Sequence, residues 1–176
     1  MVGWSDVDVD LSDHAQLARL AAAVPQNATL VSSDLGRAMK TADAIQTKQT
    51  RLPHDANLRE MNFGDWELKT FQDVTAHDPD RIRAFYETPG DIAPPNGESW
   101  AAFSNRVHHA LDRQIAATQA DALVVVAHYG VVIAALERAL NIPAYTAFSY
   151  PVHNLSLTEI HINATQWTLV RTNITF

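Results

Sequence analysis

Leu123-Val-Val-Val-Ala-His128-Tyr-Gly130-Val-Val-Ile-Ala-Ala-Leu136 is the stretch whose reading decides the fold. Its apolar run with three consecutive valines predicts a buried parallel strand, and the apolar residues after Gly130 predict a helix packing back onto it. His128 then falls at the strand-to-helix turn. In an open α/β sheet that turn lies at the carboxyl edge, where ligands bind, and the following helix points unpaired N–H groups and a partial positive charge at them. An anion suits such a place. A polar residue satisfied inside a crowded turn is the other reading of His128, and partners elsewhere in the chain decide between the two.

The chain has 176 residues, 47% hydrophobic and 19% charged, which predicts one domain over residues 1–176 with a sizeable core. Acidic side chains outnumber basic ones 20 to 13, a net charge of -7, so no nucleic-acid partner is expected and an anionic ligand must be held locally. There are no cysteines, which excludes disulfide scaffolds, thiolate metal sites and a Cys nucleophile and is compatible with the cytoplasm. No apolar run is long enough to span a bilayer, and no basic-then-apolar leader follows Met1. A soluble, cytoplasmic protein without membrane contact is expected.

Residues 1–11 read as a loop. Ser12 is the expected N-cap of a short helix whose apolar face is Leu17, Leu20, Ala21 and Val24, stopped by Pro25. A brief strand over residues 28–31 leads to Ser32-Ser33-Asp34, expected caps for a helix carrying Ala38, Ala42 and Ile45. Arg37 falls in its first turn, where a cation opposes the helix dipole unless an anion sits in front of it. Residues 54–67 read as a short strand leading into a structured loop, anchored by Leu58, Met61, Phe63 and Trp66. Helices are expected over residues 70–77 and 79–87, then a Pro- and Gly-rich lid or loop over 88–97. A long helix follows from Glu98, with Trp100, Phe103, Val107, Leu111 and Ile115 on one face. His108 and His109 diverge by about 100° on it and cannot grip one metal ion. Residues 155–162 and 167–171 alternate as a terminal hairpin that closes the sheet, giving an α/β domain with helices on both faces.

Ser32-Ser-Asp-Leu-Gly-Arg37-Ala-Met-Lys-Thr41-Ala, Leu58-Arg-Glu60-Met-Asn-Phe-Gly64-Asp-Trp66-Glu67, Pro95-Asn-Gly97-Glu98-Ser99 and Val126-Ala-His128-Tyr-Gly130 together resemble the histidine phosphatase superfamily. This is the group of phosphoglycerate mutases and related phosphomonoesterases. The motifs occur in the family's order and spacing over residues 3–130, and the Phe-Gly-Asp-Trp-Glu and Asn-Gly-Glu-Ser stretches look most like alpha-ribazole phosphatases of cobalamin synthesis. The resemblance implies a three-layer α/β/α, phosphoglycerate mutase-like domain with a mostly parallel sheet, lacking the family's first strand. It implies that Arg37 and His128 bind the phosphoryl group, that Glu60 is the proton donor, and that Gly3, Glu98, Ser99 and Tyr129 bind substrate. The implied partner is a small phosphorylated substrate or inorganic phosphate, with no metal and no organic cofactor; a homodimer is also expected. The chemistry of the residues agrees. Arg37 supplies a planar fork for phosphate oxygens, His128 adds hydrogen bonds and, when protonated, charge, and a carboxylic acid beside a phosphate dianion holds its proton near neutral pH. A helix N-terminal acid and a first-turn hydroxyl equally account for Glu98 and Ser99.

The departure is at the start. The family's nucleophile is a His in an Arg-His-Gly motif ending the first strand, and Gly3-Trp4-Ser5-Asp6 with Leu11 resembles the stretch after that motif. None of His14, His54, His77, His108, His109, His153 or His161 lies in a comparable strand-end context, so the nucleophile is carried onto no residue. Two accounts stand: a gene start placed at an internal Met of an active parent, or a shortened relative that binds a phosphorylated ligand without turning it over. No phosphatase turnover by the 176-residue chain is expected, together with self-association through the sheet edge left open. A dinucleotide site at Gly130 is disfavoured, since one glycine lacks the Gly-x-Gly-x-x-Gly pattern.

Overall fold

A computed structural model describes residues 1–176. Three parallel strands form its central sheet: β1 (Thr29–Ser32), β2 (Thr50–Arg51) and β3 (Leu123–Val126), in the order β2-β1-β3. β1 pairs with β3 from Thr29 opposite Leu123 to Ser32 opposite Val126, so both strands end at the same edge. Every residue of β1 is buried, as its central place requires. β3 departs from the fully buried strand its valines predict: all four residues are half-buried, because β3 has a hydrogen-bonded neighbour on one side only.

The strand alternation of β3 divides the core in two. Val124 and Val126 pack on Leu17, Leu20, Val24 and Ile45, from α1 (His14–Ala23), its C-terminal flank and α2 (Gly36–Ile45). Leu123 and Val125 pack on the larger cluster that holds Phe103, Val107, Ile133 and Leu136. Those four come from α5 (Trp100–Ala117) and α6 (Tyr129–Leu140), so helices cover both faces, as expected. α1 begins after Asp13, whose carboxylate accepts from the Gln16 N–H and takes the capping role expected of Ser12.

The terminal hairpin does not close the sheet. β4 (Leu157–Asn163) and β5 (Gln166–Ile174) pair antiparallel with each other and form a separate two-stranded sheet. Packing holds it instead of strand pairing: Trp167 and Leu169 lie against the larger core, and the Arg138 guanidinium of α6 sits 4.1 Å from the Trp167 ring centroid.

Residues 54–67 hold no strand. Two 3₁₀ turns, Ala56–Leu58 and Gly64–Trp66, replace it, with the Asp55 carboxylate capping the first at the Asn57 N–H. Leu58, Met61 and Trp66 are buried anchors, as their apolar character predicts. Gly64 has φ +51, and a Cβ there would lie 2.2 Å from the Pro95 carbonyl oxygen, so only glycine lets the 88–97 stretch approach this closely. That stretch is therefore docked, with the Asp65 N–H donating to the Pro95 carbonyl at 2.9 Å and Pro94 fully buried. Before it come α3 (Phe71–His77), started by a Thr70/Asp73 capping box, and α4 (Pro79–Glu87), whose Phe85 meets Trp66 edge-on at 5.5 Å. A short α7 (Ala144–Ala147) follows α6, which ends at left-handed Asn141.

Candidate anion-binding site

Because β1 and β3 are in register at their carboxyl ends, the Ser33 N–H donates to the Val126 carbonyl at 3.0 Å and the two strand-to-helix turns lie side by side. One turn delivers Arg37 in the first turn of α2; the other makes His128 the N-cap residue of α6. Ser32, Ser33 and Asp34 do not cap α2. Ser33 Oγ accepts from the Leu35 N–H, while the Asp34 carboxylate is held by Arg59 at 2.7 and 2.6 Å. The Gly36 N–H at the helix start turns to Asp6 instead, at 3.1 Å.

Glu60 lies under the start of α6, 8% exposed. Its Oε2 accepts from the Gly130 N–H at 3.0 Å and its Oε1 from its neighbour Met61 at 2.9 Å. Burial raises its pKa above the ordinary carboxylate value, against the pull of those N–H donors and of Arg37 and Arg106. The protein interior thus favours the protonated acid, a cause that the residue pattern alone does not show.

His128 differs from the charged residue the sequence allowed for. Its pKa is pushed down to about 3, by burial first and then by Arg37 and Arg106, so the ring is neutral at neutral pH. Its Nε2 is buried and has no hydrogen-bond partner. Arg37, with a side chain 15% exposed, donates from Nη1 to the Ser5 carbonyl at 2.9 Å and from Nη2 to the Gly3 carbonyl at 2.6 Å. A guanidinium has five N–H donors, so these two bonds leave three. Arg37, Glu60 and His128 are near enough for the guanidinium to act on both titrating groups.

Gly3 is buried beside Arg37, and the loop around it is pinned by Glu67. That carboxylate accepts from the N–H groups of Gly3, Trp4, Ser5 and Phe63 at 2.9 to 3.2 Å. Burial opposes its ionisation, yet these hydrogen bonds prevail and hold its pKa below the ordinary value. Tyr129 is 46% exposed and its hydroxyl donates to the Phe148 carbonyl at 3.3 Å. Ser99 Oγ caps α5 by accepting from the Ala102 N–H at 3.2 Å. Glu98 is paired with Arg106 and accepts from the Asn62 N–H at 2.9 Å. The roles of Glu67 and Arg106 escape a reading of the residues, since each joins segments dozens of positions apart and neither carries a local pattern.

Five other histidines have partners outside the group of Arg37, Glu60 and His128. His54 Nδ1 meets Ser32 Oγ at 2.8 Å, His77 the Asp73 carbonyl at 2.8 Å, His108 the Ala134 carbonyl at 2.9 Å, His109 the Asn105 carbonyl at 2.8 Å and His161 the Glu159 carboxylate at 3.0 Å. No group of three or more His, Asp or Glu is placed to hold a metal ion.

These shifts give the fold an opposed pH dependence. His128, depressed in the folded state, contributes stability that is fully present above its unfolded pKa near 6.5 and lost as the pH falls toward about 3. Glu60, raised, contributes stability present below about 4.5 and lost as the pH rises through its folded pKa. In denaturant titrations between pH 7 and 4.5, the His128→Gln variant is expected to lose less stability on acidification than the unmodified chain. Parallel pH profiles would contradict the depressed pKa.

A sequence profile of the Histidine phosphatase superfamily (branch 1) matches residues 1–175, and the chain belongs to this family. Its three-layer fold is phosphoglycerate mutase-like, as the motifs implied. It is 32% identical over 127 residues to the adenosylcobalamin/alpha-ribazole phosphatase of Salmonella typhimurium, covering 70% of this chain and 61% of that protein. The chain thus spans about three fifths of the length of that curated relative. Among solved structures, the alpha-ribazole phosphatase of Shigella flexneri superposes with a TM-score of 0.84 at 26% identity, covering 99% of this chain and 88% of that one. A mycobacterial glucosyl-3-phosphoglycerate phosphatase in complex with inorganic phosphate gives 0.85 at 26% identity, covering 99% and 91%.

Proposed function

We propose that Arg37, His128 and Glu60 form the phosphoryl-binding and proton-donating part of a phosphomonoesterase acting on a small phosphate monoester. The observation that carries this reading is the buried, unpartnered Nε2 of His128, whose ring lies within reach of the Arg37 charge that also acts on Glu60. A buried polar atom left without a partner costs about 1–3 kcal/mol, which a phosphate oxygen at that point recovers. Arg37 supplies charge and a fork, and Glu60, its pKa raised by burial, delivers a proton to the leaving oxygen as the P–O bond breaks. The names of the relatives favour alpha-ribazole phosphate as the substrate. Side chains supply the charge stabilisation, so the reading needs no metal or organic cofactor. No helix is long and apolar enough to cross a membrane, and our reading places the protein in the cytoplasm; the free edge of β3 supports pairing with a second copy.

The nucleophile is assigned to no residue of 1–176. Covalent phosphoryl transfer needs a nucleophile held in line, and effective molarity collapses when it is misplaced. The second reading, ligand binding without turnover, is favoured for this stretch by the histidines engaged elsewhere. Purified residues 1–176 and a form extended upstream in frame are to be compared on an aryl phosphate and on alpha-ribazole phosphate. Turnover by the extended form alone is expected; equal turnover by both would overturn the assignment and send the search to His14 or His153.

A further inference from the structure

Glu60 stands in the segment between two 3₁₀ turns, where no ladder of backbone hydrogen bonds fixes the chain. Arg106, in the middle of α5, supplies that fixing. Its Nη1 donates to the carbonyls of Asn57 at 2.9 Å and Arg59 at 3.2 Å, and its Nη2 to the carbonyl of Glu60 at 3.3 Å. Its Nε and Nη2 form a two-pronged pair with Glu98, at 2.8 and 2.7 Å. Glu98 in turn grips the far side of Glu60: its Oε2 accepts from the Asn62 N–H at 2.9 Å, and its own N–H donates to the Asn62 carbonyl at 2.9 Å. One ion pair therefore holds the backbone on both sides of the acid.

All five N–H donors of Arg106 are engaged by these bonds, so none remains for a ligand. The pair is largely buried, with side chains 16% and 20% exposed. The guanidinium also lies 5.1 Å from the centroid of Phe103, a ring that crowds Gly130, whose amide binds the Glu60 carboxyl. Isolated surface ion pairs contribute little, but a planar fork fixing three carbonyls and a carboxylate sets geometry in a way that a lysine point charge cannot.

We propose that Arg106 and Glu98 are positioning residues that hold the Glu60 carboxyl against the first turn of α6 and touch no substrate themselves. Glu98 is thereby moved from the substrate-binding role implied by the resemblance to a supporting one. The inference rests on reading Glu60 as the proton donor, and the experiment separates the two.

Amide hydrogen exchange and carboxyl titration by NMR are to be measured on residues 1–176, with Glu60→Gln used to assign the Glu60 signal. In Arg106→Lys the Gly130 and Met61 amides are expected to exchange about tenfold faster through local opening, while the Val31 amide in β1 is unchanged. The Glu60 carboxyl should then titrate closer to an ordinary carboxylate, because the loosened loop admits water. Glu98→Gln, which preserves side-chain shape, is expected to do the same and carries the test if Arg106→Lys fails to fold. Unaltered protection of Gly130 in the folded variant would overturn the positioning role. If Glu60 already titrates as an ordinary carboxylate in the unmodified chain, the proton-donor reading fails instead.

Discussion

Gly130→Ala is expected to destabilise the fold by about 2–4 kcal/mol, the sum of an overpacked methyl and a lost hydrogen bond to a carboxyl group. A Cβ at this position would lie 2.3 Å from Glu60 Oε1 and 2.9 Å from the tip of the Phe103 ring. Neither neighbour can retreat without loss of packing or hydrogen bonds. Phe103 is fully buried, and Glu60 is tied to the Gly130 and Met61 amides. The acid must therefore leave its place under α6, so stability and proton donation fail together. For a domain of this size the loss corresponds to a melting temperature lower by roughly 5–15 °C. Gly90→Ala is the control, since a methyl there meets nothing nearer than the Thr88 carbonyl at 3.9 Å. Similar melting temperatures for the two variants would contradict the close packing at Gly130.

Glu60→Gln carries the largest expected effect on chemistry. In a form of the protein that turns over, loss of the proposed general acid is expected to lower kcat about 10²–10⁴-fold, while phosphate affinity, which the proposed site assigns to Arg37 and His128, changes little. The deficit depends on the leaving group. An alkyl phosphate, whose alkoxide needs the proton, should suffer most, and a nitroaryl phosphate least. An equal loss on both substrates would show that Glu60 acts by holding structure, for instance through the Gly130 amide, and not by giving a proton.

The residue pattern made the strand-turn-helix around His128 and the position of Arg37 legible because both are local: a valine run, a glycine, then a helical apolar stripe. The same run misjudged the burial of β3. Valines report that a strand faces apolar surroundings above and below, but not whether a neighbour lies on each side of it. The caps offered by Ser32, Ser33 and Asp34 failed for a related reason, since Arg59 from another segment claims Asp34. Hydrogen bonds between a charged side chain and distant backbone, Glu67 with the loop at Gly3 and Arg106 with the segment at Glu60, leave no periodic trace. Glu60 stood out in its motif, yet the upward pull on its pKa comes from burial under α6, which only the packed structure shows.

In the proposed site Arg37 and the free Nε2 of His128 together receive phosphate. The most direct measurement is a titration of residues 1–176 with inorganic phosphate, followed by the ¹⁵N ring resonances of His128, in the unmodified chain and in Arg37→Ala. A saturable shift of the Nε2 signal is expected, with affinity weakened by about 1.5–3 kcal/mol in Arg37→Ala, the scale of a charge-assisted hydrogen bond. No shift at His128, or the same affinity without Arg37, would contradict the site.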